Sequence, residues 1–190
     1  MNANARVWIF RFLVLAFGGL LVLSWFMPWW SINVFEIGRN AVVIHPWGLE
    51  TNLRPADYEL IKSGEMPSWF APIMFTYLGI AIAGLIFGII AKNKEFKLWK
   101  INFNLTGFVV GLVGFSYIVV VIIAVIMAAI RTGDFWGLKL IGYTYIDLGE
   151  PMVSGAEAGL LIGYWLACSS GVLLLILGLL RRRIIGRELS

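Results

Sequence analysis

One cysteine, Cys168, and one histidine, His45, are all this chain has of the residues that most often hold haem, copper and zinc. Cys168 falls inside an apolar run and His45 in a distant polar stretch, so the two cannot easily meet. No metal and no cofactor are expected. Cys168 reads as a small packing residue, and His45, beside Pro46 and Trp47, as a locally hydrogen-bonded loop residue; a ligand shared with another subunit is the alternative for His45.

Charge is scarce as well. Only 14% of the 190 residues are charged while 60% are hydrophobic, which excludes a soluble domain of this length. The acids Asp57 and Glu59, or Asp147 and Glu150, could form carboxylate pairs, but no nucleophile, base or phosphate-cradling glycine loop accompanies them. They read as solvated acidic surface, and the chain as a non-enzyme.

Long apolar runs dominate instead, and the mean hydropathy is +0.87. Four runs reach the roughly 20 residues that cross a bilayer as helix: Val7–Met27, Pro72–Ala91, Leu105–Ile130 and Ala158–Leu180. The first has Arg6 and Arg11 near its start, but the "SWFMPWW" that ends it lacks a small-residue cleavage pattern, so it is expected to be a retained anchor. Arg11 can lift its guanidinium to the headgroups on its long stem. The second, third and fourth runs contain no Asp, Glu, Lys, Arg or His, which argues against a proton relay, a voltage sensor or a charged ion path.

Ten bases (Arg6, Arg11, Lys92, Lys94, Lys97, Lys100, Arg181, Arg182, Arg183 and Arg187) lie on one side with two acids, giving +8; five bases and nine acids on the other give −4, and the two add to the net +4. The positive-inside rule makes the first side cytoplasmic, with both termini inside a cell membrane crossed four times. The pI near 9.4 therefore reports orientation, with no nucleic-acid partner implied. "NLT" at 104–106 matches a glycosylation sequon but falls on the cytoplasmic side.

The segments 28–71 and 131–157 are then outside, and the inner link 92–104 is too short for a domain. "WWSINVFEI" predicts a strand with Trp30, Ile32 and Val34 on one face, "GRN" a turn and "AVVIH" a returning strand. "RPADYELIKSG" predicts a short helix, and "LKLIGYTYIDL" one or two further strands. An isolated hairpin is marginal in water, so these strands are expected to join. The fold class is an all-α transmembrane four-helix bundle with a small extracellular β-sheet built from the two outer loops, in one domain spanning 1–190.

Glycines carry the packing signal. Gly155, Gly159, Gly163, Ala167 and Gly171 recur every four residues towards and along the fourth span; Gly84 and Gly88 repeat the spacing in the second, Gly107 and Gly111 in the third. Such faces allow close backbone approach, either inside one bundle or towards another subunit.

This plan resembles the claudins and their relatives, the peripheral-myelin-protein-like tetraspan superfamily. "MPWW" at 27–30 is similar to the family's stretch at the end of helix 1, with Trp30 at its tryptophan position. "WGLE" at 47–50 partly matches the Gly-Leu-Trp motif through Gly48 and Leu49, while Glu50 takes the tryptophan position and Trp47 precedes the pair. "GLLIGYWLACSSGVLLLILGLL" is similar to the family's fourth helix. The two hairpin cysteines of claudins are absent, so packing alone must hold this hairpin.

The resemblance implies adhesion, barrier or scaffold work by association with copies of itself or other membrane subunits, through Trp29, Trp30, Trp47, Gly48 and Leu49 and the glycine-faced helices. Aromatic side chains are good interface anchors, although Trp29, Trp69 and Phe70 also suit a membrane-interface belt. Trp30 and Trp47 are expected to be close. A non-catalytic accessory subunit of a larger membrane enzyme is the second reading, and a pore formed between subunits the third.

Overall fold

A computed structural model describes residues 3–35, 37–52, 66–91, 95–98, 101–136, 139–147 and 153–185. The short helix expected within "RPADYELIKSG" lies outside them. Chain contacts divide the protein into a helical unit (Met1–Leu23, Thr76–Val120, Leu166–Ser190) and a sheet unit (Ser24–Phe75, Val121–Trp165).

Among the described residues, four helices are long and apolar enough to cross a membrane: α1 (Ala3–Phe26), α2 (Phe70–Ile90), α3 (Leu105–Trp136) and α4 (Ile162–Ile185). In α1, Phe10, Val14, Leu21 and Trp25 form one buried stripe. Trp8, Phe12, Leu15 and Leu23 face outward, as do Ile80, Ile86, Phe115, Ile122, Val172 and Leu179 on the other helices. Helices apolar on their outer as well as inner faces belong in lipid, and the chain is a multi-pass membrane protein.

In the helical unit, small residues set the approach of the helices, as they must where lipid removes the hydrophobic drive between spans. A Cβ on Gly178 of α4 would stand 2.5 Å from Gly111 N and 2.6 Å from Gly107 O of α3. On Gly84 or Gly88 of α2 it would meet Val113 at 3.0 Å or Val110 at 2.6 Å, and on Gly18 of α1 it would meet Leu85 at 2.9 Å. Ala167 is fully buried, and Gly171 faces Ile118 and Gly114 O. Polar links add to this packing: the Tyr77 and Ser116 hydroxyls meet at 3.0 Å. Asn104 caps α3, its Oδ1 accepting from Thr106 N (3.2 Å) and Oγ1 (2.8 Å), so the sequon asparagine serves as a helix cap.

The fourth span begins later than its apolar run. Residues 153–160 are strand and α4 starts at Ile162, so Gly155 and Gly159 lie on β7 instead of the helix expected from 158. Spacing by four suits both periods, because it is two strand repeats and close to one helical turn. Backbone pairing on both sides of β7 selects the strand.

The sheet unit holds one five-stranded antiparallel sheet, ordered β3-β2-β1-β7-β6, from β1 (Trp30–Val34), β2 (Gly38–His45), β3 (Gly48–Thr51), β6 (Gly142–Asp147) and β7 (Val153–Leu160). Both long inter-span segments thus contribute to it. Ile37 N donates to Val34 O (3.1 Å), so the chain reverses one step before the "GRN" expected to turn. Gly38 and Asn40 instead open β2 with positive φ, and the register slips there while Asn33 Oδ1 accepts from Asn40 N at 2.8 Å. Asparagine and glycine are the residues that tolerate such a bulge. A second hairpin, unforeseen from the sequence, turns through Pro46 and Trp47 into β3. The link between α2 and α3 also carries a two-stranded hairpin, β4 (Glu95–Leu98) with β5 (Ile101–Asn104).

Candidate interaction surface

Strand alternation gives the sheet two unlike faces. One is a core of Trp30, Ile32, Val34, Val42, Ala156 and Ala158, with Ile44, Leu49 and Leu160 packed against it. Trp30 is 1% exposed, and its Nε1–H donates to Leu140 O at 2.6 Å. The small Ala156 and Ala158 leave room for the ring beside them. This bond joins residues 110 apart in the chain and does the stapling that no disulfide can do here.

The expected site residues fall into separate places. Trp29 is buried; its Nε1–H donates to Ser24 O at 2.8 Å and its ring meets Tyr164 edge-on at 6.5 Å. Trp47, half-buried, stacks on His45 (4.9 Å between centroids) and on Phe75 (6.0 Å). Trp30 and Trp47 are therefore not a pair: the first occupies the sheet core, and the second, at a hairpin turn, joins the His45–Trp47–Phe75 stack. Gly48 pairs with His45 across the turn, and Leu49 pairs with Ile44. His45 is buried, with Nε2 3.6 Å from Glu50 Oε2 and no hydrogen-bond partner on Nδ1. Gly163 lets α4 start against the backbone of Met27 and Pro28, whose carbonyls would lie 2.8 and 2.5 Å from a Cβ there.

The opposite face of β1, β7 and β6 is open. Glu157 stands between Asn33 and Tyr143 in the register, and Gly155 lies opposite Tyr145 and accepts on its carbonyl from Phe35 N–H (3.0 Å). Phe35 is 63% exposed and Tyr145 70%, with Tyr143 also exposed. The Phe35 and Tyr143 rings are 5.9 Å apart and Tyr143 and Tyr145 meet edge-on at 5.2 Å, forming a continuous aromatic row. Gly155 makes it possible, since any Cβ there would collide with the Tyr143 hydroxyl and the Phe35 ring. Beside the row is a hollow of about 560 Å³ edged by Asn33, Arg39, Asn40 and Glu157. Partial desolvation and then the neighbouring Tyr145 raise the Tyr143 phenol above its ordinary pKa, so at neutral pH it is an uncharged donor.

Such a face offers aromatic area, hydroxyl donors and one charge of each sign. The sequence signal was present in the outward alternation of "YTY" at 143–145, but its joining to Phe35 required the β1–β7–β6 order. No protein-family model, curated protein or solved structure matches the chain.

Proposed function

We propose that this protein is a non-enzymatic membrane protein that works by association, presenting the Phe35–Tyr143–Tyr145 row of an extracellular sheet to a neighbouring protein. The exposed aromatic row on the face opposite a packed core carries this reading, because aromatic side chains supply rigid contact area at low entropic cost. Both termini are cytoplasmic in this reading, supported by the +8 and −4 partition of charge. The role is that of a claudin-like adhesion, barrier or scaffold protein, with the resemblance in topology and in "MPWW" as support. The helix glycines favour it over an accessory subunit docked through its spans, since their close approaches are taken up within the chain's own helices.

The test is a Tyr145→Cys, Cys168→Ala protein in intact cells. The cysteine should react with an impermeant maleimide and be captured by a short crosslinker to a neighbouring protein, with capture lost when Phe35→Ser is added. Failure to label would overturn the orientation, and labelling without capture would overturn association through this face.

A further inference from the structure

In the helical unit, α3 and α4 enclose a groove of about 490 Å³ whose ends differ in chemistry. One end holds Asn104, Arg181 and Arg182, and the rest is apolar, walled by Phe108, Phe115 and Leu179. Arg181 is only 7% exposed; the Phe10 ring centroid is 5.1 Å from its Cζ, and its stem lies over Gly107. Its Nε–H has no hydrogen-bond partner, and no carboxylate among the described residues pairs with it. Asn104 is 5% exposed; its Oδ1 is used by the α3 cap, whereas its Nδ2 amide is buried with no partner.

A buried guanidinium without a counter-charge is costly, and a buried amide without an acceptor adds to that cost. Both groups are donors, both line one groove, and an anionic oxygen would satisfy both. The apolar part runs along α3 from Asn104 to Phe115, about 16 Å at 1.5 Å per residue. Half of a ~30 Å hydrocarbon core is about the same length, which is the reach of one acyl chain from its headgroup. Gly107 and Gly111 of α3 and Gly178 of α4 also line the groove, leaving its floor without side chains.

We infer that this groove is a binding site for an anionic phospholipid, with its phosphate on Arg181, Arg182 and Asn104 and one acyl chain between α3 and α4. The inference rests on α3 and α4 crossing a bilayer and is independent of what the sheet face binds. Glu95 stands opposite Asn104 in the β4–β5 register, and Glu95→Gln is the control for an anion supplied by the chain itself.

Native mass spectrometry of the detergent-purified protein, given phosphatidylglycerol or phosphatidylcholine of equal chain length, tests it. The protein should retain phosphatidylglycerol preferentially, and Arg181→Gln should reduce that preference about tenfold, the effect of losing one charge-assisted hydrogen bond. Arg182→Gln and Leu179→Trp, at exposed positions, supply the same test if Arg181→Gln fails to fold: the first removes charge and the second fills the groove. Excess inorganic phosphate should leave the lipid bound. Equal retention of the two lipids, a preference that Arg182→Gln and Leu179→Trp both leave intact, displacement by phosphate, or a preference that emerges only in Glu95→Gln would each overturn the site.

Discussion

Gly159 and Gly163 are the same residue four positions apart, and they stand on opposite sides of a change in structure. Around Gly159, on β7, a Cβ would meet nothing within 4 Å, whereas at Gly163, in the first turn of α4, it would strike the Pro28 and Met27 carbonyls. Both lie in the sheet unit, and a similar contrast separates the sheet core from the contact of α3 with α4. The sheet unit sets a tryptophan beside small strand residues and fills its core with the ring, while Gly114 and Gly178 of the helical unit lie directly against the backbone of the facing helix. A small residue therefore makes space for a side chain in the sheet core and allows backbone contact between α3 and α4 and at the start of α4.

The comparison can be broken most forcefully from the sheet side. Trp30→Ala removes a fully buried ring and leaves Leu140 O without its donor, so it should cost ~3–5 kcal/mol and open residues 30–52 and 139–160 to protease while the helices stay resistant in detergent. Unchanged proteolysis would mean that the ring does not hold the sheet. Gly178→Ala attacks the helical side, where the added methyl would meet Gly111 and Gly107 backbone that cannot turn aside. A loss of ~1–3 kcal/mol is expected in a thermal melt, with the sheet's protease pattern retained. The smallest effect sharpens the contrast: Gly159→Ala, in open space on a strand, should leave the melt unchanged or raise stability by roughly 0.5–1 kcal/mol. A Gly159→Ala protein as damaged as Gly178→Ala would mean that strand and helix glycines do the same job after all.

Much of the fold is legible in the sequence. The spans are, because a run of about 20 apolar residues suits lipid whatever its neighbours are. The strands β1 and β2 are, because alternation such as Trp30, Ile32 and Val34 marks a one-sided core. The strand at 153–160 is not: "VSGAEAGL" is mostly alanine and glycine, carries little β-propensity, and its glycine spacing extends into α4. The Pro46–Trp47 turn was hidden by the shortness of β3. The candidate surface was half legible. The tryptophan-rich stretch was conspicuous, yet Trp29 and Trp30 are buried, and the exposed aromatics are a phenylalanine and two tyrosines from separate segments.

The sequence by itself determined that this chain spans a membrane and that its two long inter-span segments carry strands, since hydrophobic length and alternation are local quantities. Only the tertiary structure decided which rings are buried, where strand gives way to helix before α4, and that Arg181 is enclosed at the end of an apolar groove. Each of these depends on partners far along the chain: Leu140 for Trp30, β1 and β6 for β7, and Phe10 for Arg181. Burial and pairing are properties of two surfaces meeting, and a single segment carries only one of them.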